Sequence, residues 1–178
     1  MEEKQTSLSM HSMIYGAGTG LGMIVLVLIL YVSNLYMNQV LQYLGFAIMI
    51  AGMVIGSLQY RKVQLNGFMT YGQAFSVNFL IGVFATILSI LFFFFYVKYI
   101  NTGLIEEMMA ATRTKMEAKA GSMSQEQIDQ AMAMTEKFMS PVWMAIWGLV
   151  GNTFFSAVFA LIISIFVKKT DPNAPTMI

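Results

Sequence analysis

The chain has 178 residues, 57% of them hydrophobic and only 11% charged, against about 25% charged in a soluble domain. Mean hydropathy is +0.67, and a net charge of +1 gives no bulk electrostatic case for nucleic-acid binding. With no cysteine and the single histidine His11, disulfides, thiolate metal sites, cysteine nucleophiles and histidine clusters are all excluded.

The apolar residues fall into four stretches free of Asp, Glu, Lys and Arg, at about 14–36, 40–58, 71–97 and 142–167. Each is long enough to cross a bilayer, which takes roughly 20 apolar residues. Each is read as a helix, because a lone strand would leave its backbone groups unpaired in lipid. The first run follows "MEEKQTSLSMHSM", with one Lys against two Glu, and no small-x-small cleavage site follows it. It is therefore read as a span and not as a signal peptide. A short link around "NLYMNQ" predicts a tight hairpin of spans one and two.

Between spans two and three, "QYRKVQLNG" is short and basic, and Asn66-Gly67 is a turn signal. Thr70 and Gln73 have the spacing of a capping box, which places a helix start at Tyr71. Spans three and four are separated by a polar insert of about 101–139. In it Ile105, Met108, Met109, Thr112 and Met116 share one helical stripe, and Ile128, Ala131, Met132, Thr135, Phe138 and Met139 share another. Gly121-Ser122 breaks the two, and Ser124 with Gln127 forms a second capping box. Pro141 suits the first turn of the fourth span. Methionine thioethers bind copper(I), but these methionines occupy the helical stripes, so packing accounts for them. The tail "KKTDPNAPTMI" reads as disordered.

Inside the spans, polar and small residues keep helical spacing. Gly16 and Gly20, and again Gly52 and Gly56, are small-x-x-x-small patterns at matched depth. They are expected to pack on each other, with homodimerisation through one stripe as the rival reading. Asn78, Gly82, Thr86 and Ser89 form one face of span three; Gly148, Asn152 and Ser156 form a ridge on span four. Thr86 and Asn152 lie at equal depth, which predicts an interhelical hydrogen bond between them. No carboxylate pair, histidine base or metal-ligand set falls within a span, so no catalytic or cofactor site is expected.

Four crossings place both termini and the Arg61/Lys62 loop on one side. Basic residues tie at five on each side, but Arg61/Lys62 and Lys168/Lys169 are adjacent pairs at span ends. That weighting predicts cytoplasmic termini. Tyr15, Tyr60 and Tyr71 would then mark the inner interface.

The segments "QIDQAMAMTEKFMSP" (127–141) and "TYGQAF" (70–75), with the four-span layout, resemble a bacterial membrane family catalogued as domain of unknown function 4199. The likeness covers nearly the whole chain. It implies an integral membrane protein with a helical insert between spans three and four, and it supplies no catalytic or binding residues. Members often carry Asn-Pro after the third span; here "YINTGLIEE" has Asn101 without the proline, so the insert's entry angle departs from that pattern.

The reading is one all-α integral membrane domain over 1–178: four transmembrane helices with an amphipathic hairpin inserted between helices three and four. It is a non-enzymatic structural or accessory component of the bacterial inner membrane, without cofactor or metal. Its partners are the lipid bilayer and either another membrane protein or further copies of itself, not nucleic acid. The alternative is a small transporter or channel subunit acting as an oligomer, which would need a continuous polar-lined cavity.

Overall fold

A computed structural model describes residues 7–36, 38–119 and 124–172. The described residues are helical: α1 (Leu8–Val32), the single turn α2 (Gln39–Gln42), α3 (Leu44–Gln64), α4 (Tyr71–Phe95), α5 (Leu104–Lys119), α6 (Gln125–Phe138) and α7 (Pro141–Val167). A turn of π-helix, Tyr96–Ile100, follows α4 and closes with Asn101 N–H donating to the Tyr96 carbonyl at 2.8 Å. The chain divides into two compact units, Met1–Ser89 with Gly151–Ile178, and Ile90–Val150.

Four helices are long and apolar enough to span a membrane; the third starts at Tyr71 and the fourth runs Pro141–Val167, within a residue of the charge-free stretches, but the ends of the first two differ. The first starts at Leu8, six residues before the expected 14, because Ser7 caps it: its hydroxyl accepts from Met10 N–H. It stops at Val32 and not at 36. Asn34 takes a left-handed φ of 53°, and Leu35 N–H bonds back to the Leu30 carbonyl at 2.8 Å. This is a helix-ending loop in which Asn replaces the usual Gly. The link to the second span holds α2, capped by Asn38, whose side chain accepts from Val40 N–H and Leu41 N–H. The second span runs on to Gln64, past the expected 58, so Arg61 and Lys62 lie in its last turn and not in a loop. There the partial negative charge of the helix end favours cations.

Asn66 and Gly67 both have positive φ, as the turn signal requires. Thr70 N–H donates to Gln73 Oε1 at 2.9 Å and Gln73 N–H to Thr70 Oγ1 at 3.3 Å, so the capping box opens α4. The tail is ordered at its start: Met69 and Lys169 exchange two backbone hydrogen bonds, at 2.8 and 2.9 Å. Residues 173–178, the rest of the segment expected to be disordered, lie outside the described residues, as does the Gly121-Ser122 break.

In the first unit, Met49, Met53, Val77 and Ile81 form the centre of the core. The outer faces are apolar too. Ile14, Leu21, Val25 and Ile29 of α1 are each more than half exposed, and Phe166 of α7 is 79% exposed. Only 22–33% of the residues in each span's most apolar window are buried.

In the second unit, α5 and α6 contact each other, and Arg113 Nη2 pairs with Asp129 Oδ1 at 2.8 Å. The Glu117 hydrogen bond and the Asp129 charge raise the Arg113 guanidinium above its ordinary pKa. Ser124 and Gln127 complete the second capping box, and α7 opens at Pro141. The expected stripes are the covered faces of both helices, with Ile128 the most buried. Phe138 is the exception: it is 52% exposed, with its ring edge-on to Trp143.

Candidate functional site

The small residues of the spans sit at close helix contacts, but the two glycine stripes do not face each other as expected. A methyl at Gly16 would meet Phe84 Cβ, the Ile81 carbonyl and Ala85 N, and one at Gly20 would meet the Ala85 carbonyl and Leu88. Both glycines therefore lie against α4. Gly52 lies instead against Thr19, and Gly56 against Tyr15 and Ile81. Glycine stripes show that a helix can approach closely; which neighbour comes close is set by tertiary packing.

The polar groups of α4 meet α7, though not in the expected pair. Gly82 packs on Ser156. Asn78 is fully buried and its amide donates to Ser164 Oγ at 3.4 Å. Thr86 is fully buried and its hydroxyl has no hydrogen-bond partner, so the predicted Thr86–Asn152 bond is not made. Asn152 lines a groove of about 180 Å³ with Met23, Leu30, Gln42 and Phe46. Gly148 makes an ordinary contact with Ile90.

A polar layer near the start of α1 was not legible in the sequence. His11 lies inside the first span and is buried, where the charge-free stretch would have left it outside. Its Nε2 is 2.9 Å from the Gly56 carbonyl. A carbonyl only accepts, so the ring carries a proton on Nε2. The imidazole stacks on Tyr15 at 4.6 Å and meets Tyr60 edge-on at 5.0 Å. Tyr60 is thus buried against His11 and does not stand free in an interfacial belt. Ser12, Ser57, Asn78 and Ser164, from four different helices, are all fully buried. Ser57 and Ser164 satisfy their hydroxyls on the Val54 and Ala160 carbonyls of their own helices. Ser12 Oγ and Asn78 Oδ1 have no partner. The available signal was Ser12 four residues before Gly16, which continues the same stripe.

Below this layer, Arg61 Nη1 donates to the Val167 carbonyl at 2.7 Å and caps the end of α7. Lys169 Nζ lies over the Phe68 ring at 5.5 Å. The described part of this unit carries Arg61, Lys62, Lys168 and Lys169 against one acid, Asp171. Such a layer holds helices together and presents positive charge at one end.

No curated protein and no solved structure matches this chain. A family model described as "Protein of unknown function (DUF4199)" matches residues 14–169, nearly the whole chain, and the chain belongs to that family.

Proposed function

We propose that the chain is an integral membrane protein of the bacterial inner membrane, with both termini cytoplasmic, serving as a structural or accessory component without catalysis. The observation that carries the membrane reading is the outer surface of the four long helices. They leave Ile14, Ile55, Phe95 and Phe166 more than half exposed, and most residues of each apolar window are not buried. A soluble monomer rarely exposes such continuous apolar surface. In lipid it costs nothing. Two of the buried polar groups, His11 and Asn78, hydrogen-bond between helices, which is one way membrane helices use such groups.

The paired cations Arg61/Lys62 and Lys168/Lys169 support the orientation. The α5–α6 insert, read as an antiparallel pair on the opposite side, is the segment that would meet a partner protein. The unpartnered oxygens Ser12 Oγ, Asn78 Oδ1 and Thr86 Oγ1 favour a second reading, a transporter subunit, over an enzyme. Extraction of membranes with alkaline carbonate tests the first claim: the protein should stay in the pellet. Release into the supernatant would refute membrane integration.

A further inference from the structure

An open groove of about 470 Å³ runs between α1 and α3, and Ile14, Tyr15, Gly18, Ile48, Gly52 and Ile55 shape it. Its depth comes from glycine. Nothing lies within 4 Å of the place a Gly18 side chain would start, and Gly52 contributes no side chain above Thr19. Ile14 and Ile55, at 58% and 59% exposed, stand as its rims. The two helices run antiparallel with a fixed register. Gly22 meets Ile48, Thr19 meets Gly52, Tyr15 meets Gly56, and His11 meets Tyr60.

That register and the helical repeat decide what stands at the groove's end. Ile48, Ile55 and Lys62 are seven residues apart, so they share one face of α3 with a drift of only ~20° per step. Lys62 is exposed and lies roughly 10 Å beyond Ile55 along the axis. Gln59, seven residues from Gly52, is exposed beside it. Its neighbour Arg61 is turned away and donates to Val167. The groove wall from Ile48 to Ile55 is also roughly 10 Å long, within the ~15 Å depth of one bilayer leaflet. The apolar wall thus lies about 10–20 Å along the axis from an exposed cation on the same face of α3, in a unit whose described charges are four cations against one acid.

We propose that the α1–α3 groove seats one acyl chain of an anionic phospholipid whose phosphate is held by Lys62. The lipid would fill the gap left by Gly18 and tie α1 to α3 near the cytoplasmic surface. This inference rests on the membrane reading above, which carbonate extraction tests separately.

The test is native mass spectrometry of the full chain in a non-ionic detergent, titrated with phosphatidylglycerol, phosphatidylcholine or glycerol 3-phosphate. The wild type should retain phosphatidylglycerol over phosphatidylcholine and bind no glycerol 3-phosphate. Gly18→Leu should lose phosphatidylglycerol without a fall in melting temperature, because the new side chain enters empty groove. Lys62→Gln should weaken phosphatidylglycerol about five-fold, the worth of one basic contact at an anionic surface, and erase the preference over phosphatidylcholine. Full retention by Gly18→Leu overturns the seat, and an unchanged preference in Lys62→Gln overturns the phosphate contact. Equal binding of glycerol 3-phosphate would show a small-anion site. A wild-type dimer that Gly18→Leu converts to monomer would show that a second copy fills the groove.

Discussion

Two identical substitutions should move stability in opposite directions. In Gly82→Ala the new methyl would sit 2.6 Å from Ser156 Oγ and 2.7 Å from Ser156 Cβ. The best carbon–carbon separation is ~3.5–4.0 Å. Ser156 Cβ is fixed to the α7 backbone and cannot rotate away, so α4 and α7 must part by about 1 Å. Overpacking of that kind costs about 1–3 kcal/mol. Gly18 is also mid-helix, but a methyl there meets nothing within 4 Å. Gly18→Ala removes only glycine's conformational freedom, a gain of about 0.5–1 kcal/mol. Gly82→Ala has the same propensity gain, so the two variants should differ by the overpacking cost, ~1–3 kcal/mol. Reversible unfolding in mixed micelles, followed by helical circular dichroism, measures this. If Gly82→Ala proves as stable as Gly18→Ala, the α4–α7 contact is wrong.

Asn78→Leu should change stability by less than about 1 kcal/mol, since it removes one long hydrogen bond together with an unpartnered buried carbonyl oxygen. A loss above ~2 kcal/mol in the same assay would show that Asn78 Oδ1 has a strong partner such as an ordered water. In the insert, antiparallel pairing of α5 and α6 through the Arg113–Asp129 pair would set Met109 opposite Met132. Cysteines at those two positions should oxidise to an intramolecular disulfide, and failure to crosslink would refute the antiparallel pairing.

The four long apolar helices were legible because apolar runs of lipid-crossing length have few other uses. The ends of the first two were not, because helix boundaries follow capping and not charge. Ser7 extends α1 through His11, Asn34 stops it, and Arg61 stays helical while its guanidinium reaches Val167. Both capping boxes were readable because Thr70/Gln73 and Ser124/Gln127 are local signals three residues apart. Helix partners were not. Periodicity places Gly16 and Gly20 on one face, but only the packed structure sets that face on α4 and leaves Gly52 to Thr19. Thr86 and Asn152 share a depth, and depth alone does not aim two side chains at each other. The polar layer around His11 escaped notice because each of its members is an ordinary residue until four helices bring them together.

Accessibility of single cysteines in this cysteine-free chain tests the four-span account most directly. Thr170 and Glu126 are both exposed and lie beyond opposite ends of the fourth span. In intact cells a membrane-impermeant thiol reagent should label Glu126→Cys at once. Thr170→Cys should label only after the membrane is permeabilised. Labelling of both positions from the same side would contradict the four-span topology, and the reverse pattern would place the termini outside.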